Sequence, residues 1–214
     1  ERIVNEPSAA ALASYFTANE EQNMLVFDFG GGTLDVSLVD CFDTMVEIVS
    51  VAGNNRLGGD DFDRLIAEHF LREHGVARQQ LRAQEYAVLL KQAERCKKLL
   101  SEQDEVVMHA TVGDQLYEST YTMDRLFEES KALLKEIRQV IGRALKDGKM
   151  TIHDVDLVVM AGGSSKMPLI QKYIRHLFHK APMVQGNCDE LIALGLGLVC
   201  GVKERKEEIK DYIL

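Results

Sequence analysis

The sequence of 214 residues predicts an α/β fold in which helices flank a mixed sheet and a smaller α+β subdomain is inserted. Three strand-like segments between residues 24 and 52 follow one another too closely for helical crossovers. A helix, a strand and two further helices complete the chain, and a helix-rich stretch separates them from the first strands. We therefore predict a core subdomain formed by residues 1–57 and 124–214, and an inserted subdomain formed by residues 58–123.

The first part of the chain predicts one helix and an antiparallel meander. Asn5, Glu6 and Pro7 are typical of a helix start, because they offer a capping side chain, an acid and a proline suited to the first turn. We expect the helix to run through residues 9–16. Closely spaced apolar segments then predict three strands, at residues 24–29, 34–40 and 44–52.

Helical and alternating patterns continue through the rest of the chain. Apolar residues recur at helical spacing in two stretches, namely Phe62, Leu65, Ile66 and Phe70, and then Tyr86, Leu89, Leu90, Ala93 and Cys96. A turn at Gly113 predicts a hairpin formed by residues 105–112 and 115–122. Beyond it we expect one long helix at residues 124–147, a buried strand at 157–161, and helices at 168–178 and 189–201.

Composition excludes several classes of function. The net charge of −9 and the pI of about 5.2 argue against a nucleic-acid partner, because such binding depends on clustered Lys and Arg. No apolar run approaches the ~20 residues of a membrane span. The four cysteines are scattered without a CxxC pair, so we expect a reducing, cytoplasmic location. Because Glu1 is not a start methionine, we also expect a segment of a longer protein.

The sharpest local feature is a glycine turn that follows a predicted strand. Gly30, Gly31 and Gly32 would let backbone N–H groups wrap an anion such as a phosphate, with the Thr33 hydroxyl as a further donor. Asp28 beside a phosphate would be repelled unless it bound Mg²⁺, directly or through a coordinated water. For three glycines alone, an ordinary hairpin turn is the competing interpretation.

A second glycine pair follows another buried strand. Gly162 and Gly163 precede Ser164 and a helix, with the cationic Lys166 nearby. Two such turns would be able to face one ligand, whereas an ordinary strand-to-helix connection is the alternative. Within the inserted region, a polar helix stripe at i, i+3, i+4 and i+7 would suit a sugar and base, or else a solvated face. Its members are Glu94, Lys97, Lys98 and Ser101.

Five segments in order resemble the ATPase domain of the seventy-kilodalton heat-shock chaperones, the DnaK family. They are NEPSAAA (residues 5–11), VFDFGGGTLDV (26–36), LGGDDFD (57–63), ERCKK (94–98) and AGGSSKMP (161–168). The resemblance spans nearly the whole chain, and five ordered segments are far more specific than any one of them. Residues 193–197 and 209–214 look most like the short bacterial members of the HscC type.

The resemblance implies the second lobe of an actin-like (ribonuclease H-like) ATPase domain that binds ATP or ADP with Mg²⁺. Residues 30–33 would hold the β and γ phosphates, Asp28 would act through Mg²⁺-bound water, and Glu6 would lie near the attacking water. Glu6, Asp28 and Thr33 are thus the candidate catalytic residues. The other nucleotide-binding matches are Gly58, Gly59, Glu94, Lys97, Lys98, Ser101, Gly162, Gly163, Ser164, Lys166 and Asp189.

Three positions depart from the family pattern, and one of them concerns the base. Leu34 replaces a customary Phe, Lys166 a customary Arg, and Cys188 a customary Pro. Because arginine stacks its planar guanidinium on an adenine face and lysine offers only a point charge, we expect looser packing on the base.

The resemblance also implies a first lobe that brings a further phosphate loop, a lysine and an aspartate, and no segment of it occurs in this sequence. Phosphoryl transfer needs charged groups on both sides of the phosphate, so we predict no useful ATP turnover by this chain alone. The parent would use ATP to release and capture unfolded peptides, with a J-domain co-chaperone and a nucleotide exchange factor as partners. The alternatives are a bacterial actin-like filament protein and a non-catalytic interaction module.

Overall fold

The computed structural model describes residues 4–18, 21–42, 45–113, 115–184 and 191–203. Besides the α-helices and β-strands, it contains two short 3₁₀ helices, at Arg78–Gln80 and Gly163–Lys166. In chain order, the α-helices and β-strands are α1 (Glu6–Ala18), β1 (Gln22–Phe29), β2 (Leu34–Phe42), β3 (Met45–Asn54), α2 (Gly59–Glu73), α3 (Ala83–Leu99), β4 (Glu105–Val112), β5 (Gln115–Thr122), α4 (Met123–Glu129), α5 (Lys131–Asp147), β6 (Leu157–Ala161), α6 (Pro168–Phe178) and α7 (Leu191–Lys203).

Four strands form one mixed sheet in the order β3-β2-β1-β6. The predicted meander is confirmed, since β1 pairs antiparallel with β2 and β2 pairs antiparallel with β3. Strand β6 lies parallel to β1, and Asp28 is the register partner of Ala161. Because parallel strands end at the same edge of a sheet, the two glycine turns that follow β1 and β6 leave the sheet side by side.

The sheet is apolar on both faces, and alternation along each strand decides which helices each face meets. Leu25, Phe27 and Phe29 of β1 belong to the larger core, which also contains residues of α2, α5 and α6. Met24 and Val26 point the other way, into a smaller core with residues of α1. Helix α1 in turn packs against α7. Two-sided burial therefore makes this a helix–sheet–helix arrangement.

The predicted inserted region carries its own two-stranded sheet. Strands β4 and β5 pair antiparallel along their whole length, from the Glu105–Thr122 pair to the Val112–Gln115 pair. Helices α2 and α3 pack together, and α3 also contacts β4. The hairpin and both helices appear where the sequence predicts them. Because α2 and α3 pack together, α3 lies beside the turn that precedes α2.

The prediction of one long helix at residues 124–147 is wrong in one respect. The structure divides this segment into two helices, α4 and α5. Ser130 lies between them, fully buried, with backbone angles of φ −85° and ψ 1°. Its hydroxyl donates to the carbonyl of Phe127 at 3.2 Å. Serine hydroxyls that bond a carbonyl of the preceding turn bend helices, and this interruption has no strong signal in the local sequence.

The ends of the remaining helices differ little from the prediction. Helix α1 is longer than predicted and begins at Glu6, with Ala9 N–H donating to the Asn5 carbonyl at 3.1 Å. Helix α7 begins at Leu191, and residues 189 and 190, predicted to start it, lie outside the described residues. Among the helices of the described residues, none combines the length and the apolar character that a membrane crossing requires.

Candidate nucleotide site

The two glycine turns predicted to share a ligand lie against each other. Gly162 has a φ of +80°, and a Cβ placed on it would lie 2.5 Å from the Phe29 carbonyl oxygen and 2.6 Å from Asp28 Oδ1. Both the backbone angle and the space therefore require glycine at this position. The turn after β6 is thus packed directly on the end of β1.

A third glycine segment, at the start of α2, supports the first turn from beneath. Gly59 N–H donates to the Gly30 carbonyl at 3.0 Å, and Asp60 N–H donates to the Gly31 carbonyl at 2.8 Å. Gly58 is buried, and a Cβ on it would overlap the Gly31 backbone. The structure therefore gives Gly58 and Gly59 a supporting position under the first turn.

The first turn itself is open on its outer side. Gly31, Gly32 and Thr33 are exposed, and a Cβ on Gly32 would meet nothing within 4 Å. A Cβ on Gly30 would come no closer than 3.7 Å to its neighbours, and none of the three glycines has a positive φ. The packing of the described chain therefore gives no reason for three successive glycines here.

Asp28, close before this turn, feels the charges of two other carboxyl groups. Burial, together with the charges of Glu6 and Asp35, raises the pKa of Asp28 from its ordinary 3.8 to about 6. Such mutual repulsion would be relieved by a nearby cation. Among the described residues no three metal-ligating side chains are grouped closely enough to hold an ion. The residues around Asp28 would therefore suit a Mg²⁺ ion that is coordinated mainly by water and phosphate oxygens, as this ion commonly is in proteins.

Lys97 of α3 is buried and tied to the start of α2. Its ammonium lies 2.8 Å from Asp63 Oδ1 and donates to the Gly59 carbonyl at 2.8 Å. The side chains of Lys97 and Asp63 are only about a tenth exposed. The interaction joins α3 to the segment that supports the first turn, so it helps to fix the spacing between them.

A cleft of about 540 Å³ lies between these elements. It brings together predicted residues from three distant parts of the chain: Gly31, Glu94, Lys97, Lys98, Ser101, Gly163, Ser164 and Lys166. Eight predicted residues are absent from its lining. Six belong to the glycine turns and the segment that supports them, namely Gly30, Gly32, Thr33, Gly58, Gly59 and Gly162, whereas Asp28 lies near the end of β1 and Glu6 begins α1. Asp189 lies outside the described residues.

Four lining residues were missed by the sequence analysis: Asp60, Asp63, Glu102 and Met167. Asp60 and Asp63 lie within the LGGDDFD segment, in which the sequence predicts ligand contact only for the two glycines. Their position in the first turns of a helix was the available signal, although it does not show which way each side chain points. Met167 lies within the AGGSSKMP segment and Glu102 follows the ERCKK segment by four residues, and no pattern marks either as a lining residue.

The outer rim of the cleft is formed by an exposed ion pair on α3. Lys98 Nζ lies 2.6 Å from Glu94 Oε1, and this hydrogen bond lowers the pKa of Glu94. Ser101, two residues beyond the end of the same helix, is also exposed. Buried Lys97 and exposed Lys98 are thus neighbours in sequence with different surroundings.

Comparison with known proteins identifies the family of the chain. The family model described as "Hsp70 protein" matches residues 1–214. The chain is 37% identical over its full length to the chaperone protein DnaK of Thermotoga neapolitana, of which it covers 38%. It is 35% identical to the chaperone protein dnaK3 of Thermosynechococcus vestitus, covering 32% of that protein. The stromal 70 kDa heat shock-related protein of Pisum sativum is also 35% identical, with 31% covered.

The chain therefore spans 31–38% of the length of these relatives, while the family match extends over the whole of the chain. The chain belongs to the Hsp70 protein family and has the actin-like fold of that family's ATPase domain.

Proposed function

We propose that this chain is the second lobe of the ATPase domain of a DnaK-type chaperone and binds nucleotide between the two glycine turns and α3. The supporting observation is the first turn, where three successive glycines, two of them exposed, have neither a positive φ nor a neighbour that excludes a side chain. A ligand that approaches the backbone closely accounts for them. The cleft beside this turn has the size of a small-molecule site.

Proteins of this family bind ATP or ADP with Mg²⁺. In our proposal the backbone N–H groups of residues 30–32 and the Thr33 hydroxyl hold the β and γ phosphates. Asp28 holds water molecules of the Mg²⁺ ion, which neutralises phosphate charge, and Glu6 orients the attacking water. The raised pKa of Asp28 supports this assignment, because burial and then the charges of Glu6 and Asp35 disfavour its carboxylate, and a nearby cation would offset both effects.

The adenosine is assigned to the cleft between α3 and the second glycine turn. Glu94, Lys98 and Ser101 would contact ribose and base from one side, and Gly162, Gly163, Ser164 and Lys166 from the other. Asp189 is proposed as a further acidic contact. Lys97 is assigned a positioning role, since its ammonium already binds Asp63 and the Gly59 carbonyl.

The complete protein is proposed to hydrolyse ATP and to couple that step to binding and release of unfolded peptides. A J-domain co-chaperone and an exchange factor are its proposed partners. This chain alone should not turn over ATP, because the charged groups on the far side of the phosphates would come from another lobe. The comparisons offer nothing in favour of a filament protein, and a non-catalytic module is the alternative that experiment must separate.

The test is ATP turnover by the complete protein carrying Asp28→Ala or Thr33→Ala. We expect each to lower kcat by about a hundredfold, the usual effect of removing a charge-stabilising group. Thr111→Ala and Asp147→Ala are matched controls, since both residues are exposed and neither lines the cleft. Unchanged turnover in the first pair would refute the assigned roles. Absence of Mg-ATP binding in calorimetry of the complete domain would favour the non-catalytic alternative.

A further inference from the structure

A groove of about 570 Å³ runs between α4, α5 and α6, and it shares no lining residue with the nucleotide cleft. Leu134 of α5 and Leu169 of α6 form buried parts of its floor. Tyr173 is half-buried beside them, and Phe127 of α4 stands at the edge with 43% of its surface exposed. The groove therefore offers apolar contact surface that the described chain leaves open to solvent.

The edges of this groove are basic on a protein whose net charge is −9. Lys131, Lys135 and Arg138 lie at i, i+4 and i+7 of α5, which places them on one face of the helix. Lys172 lines the groove from α6, and Asp124 is the only acid among the described residues that line it. The groove thus carries a local excess of positive charge, because its Lys and Arg side chains outnumber the acids that line it.

Some of these cations have contacts, but those contacts leave them at the surface. Lys131 forms an ion pair with Glu128 and also lies 5.7 Å from the centre of the Phe127 ring. More than half of each side chain in that pair is exposed. Exposed pairs of this kind contribute little and exchange readily, so they do not prevent Lys131 from meeting another anion.

Apolar floor and basic edges together select the class of ligand. Nucleic-acid phosphates would use the cations and leave the floor unfilled, whereas a membrane surface is too flat to enter a concave groove. An amphipathic helix satisfies both features, since it lays apolar side chains into a groove and carries acids along its borders. Opposite charge would also speed its association.

We propose that the α4–α5–α6 groove is a docking site for an acidic amphipathic segment of a partner protein. The apolar face of that segment would pack on Phe127, Leu134 and Tyr173, and its acids would meet Lys131, Lys135 and Arg138. This proposal is independent of nucleotide binding, because the groove and the cleft have separate linings.

The test uses the 214-residue chain and two synthetic 16-residue helical peptides. Both carry Leu and Phe at i, i+3, i+4 and i+7, and the polar face is Glu in the first peptide and Lys in the second. Fluorescence anisotropy should show saturable binding of the Glu peptide and at least tenfold weaker binding of the Lys peptide. The affinity should fall as salt screens the exposed charges.

Variants locate the binding site on the chain. Lys135→Glu/Arg138→Glu should weaken the Glu peptide at least tenfold, and Phe127→Ala should weaken it severalfold without removing any charge. Lys91→Glu/Lys146→Glu is the matched control, because both lysines are exposed and lie outside the groove, and it should change affinity less than twofold. Thermal melts establish that each variant is folded before its affinity is compared.

Several results would overturn the proposal. These are equal binding of the two peptides, equal losses in the groove and control variants, or no binding at millimolar peptide. Preferential binding of anionic phospholipid vesicles would assign the groove to lipid. Dimers in light scattering that only the groove variant dissociates would assign it to a second copy of the chain.

Discussion

The two glycine turns lie side by side, yet the structure requires glycine in one of them and not in the other. Gly162 has a positive φ and touches the end of β1, so the fold itself requires it. Gly32 of the first turn has open space around its Cα and no positive φ, so the fold does not require it. The difference teaches that a glycine that neither packing nor backbone conformation requires is a candidate for contact with a ligand.

The same contrast separates two adjacent lysines of α3. Lys97 is buried between Asp63 and the Gly59 carbonyl, whereas Lys98 lies at the exposed rim with Glu94. Both lysines line the cleft, but Lys97 joins α3 to the start of α2, whereas Lys98 lies at the exposed rim. Substitutions at these positions, and at the two turns, should therefore divide into those that unfold the chain and those that affect only its ligand.

The largest effect on stability is expected from Gly162→Ala. The new methyl group would meet the Phe29 carbonyl and Asp28, and the positive φ would strain the backbone. Overpacking and this strain together should lower the free energy of unfolding by about 4 kcal/mol. Chemical denaturation measures it, with Gly142→Ala in α5 as the control. That position is open, so its alanine should stabilise the chain by about 0.5–1 kcal/mol. Equal small effects at both sites would contradict the close approach of the turns.

A somewhat smaller loss is expected from Lys97→Met. Removing one partner of a buried ion pair leaves the Asp63 charge without its counterion, which typically costs about 3 kcal/mol or more. Urea denaturation should show this loss, whereas Lys98→Met on the exposed rim should change stability by less than about 0.5 kcal/mol. The double variant Lys97→Met/Asp63→Leu should recover much of the loss. A Lys97→Met chain as stable as Lys98→Met would show that the pair does not hold α3 in place.

Asp28→Asn should stabilise the chain while it abolishes the proposed metal site. Folded Asp28 has a pKa of about 6, above its ordinary 3.8, so the folded state retains a proton that the unfolded state has released between these values. Stability therefore falls as pH rises from about 4 to 6, and the full cost is present above 6. Asp28 is partly solvated, so screening limits the gain from Asn to about 1 kcal/mol at pH 7.5.

That gain corresponds to about 2–4 °C in Tm for a chain of this size. Thermal melts of both chains at pH 7.5 and pH 4 measure it, and the difference between them should be much smaller at pH 4, close to the ordinary pKa of 3.8. A constant difference across this range, or a destabilised variant, would show that the charge of Asp28 is already balanced.

The smallest change in stability is expected from Gly32→Ala. Because a Cβ there meets nothing within 4 Å, the free energy of unfolding should change by less than about 0.5 kcal/mol. In the complete protein the same variant should weaken Mg-ATP binding severalfold, because the methyl group stands where the backbone approaches phosphate. Calorimetry measures the affinity. Loss of stability with intact binding would reverse our assignment of this glycine.

Sequence patterns predicted the strands, the meander and the glycine segments, because each depends on local spacing or on a short motif. Position 130 shows the limit, since the division between α4 and α5 depends on a serine hydroxyl that turns toward the Phe127 carbonyl. Asp60 and Asp63 were missed for a related reason. A helix start indicates that acids are favoured there, whereas only the packing of α2 against α3 decides which acids face the cleft.

The central claim is that both glycine turns contact one nucleotide. Hydrogen exchange of backbone amides in the complete protein, with and without Mg-ATP, tests it most directly. We predict that Mg-ATP slows exchange together at residues 30–33 and 163–166, over the same range of nucleotide concentration. Protection at one turn without the other, or at neither while nucleotide is bound, would contradict a shared site.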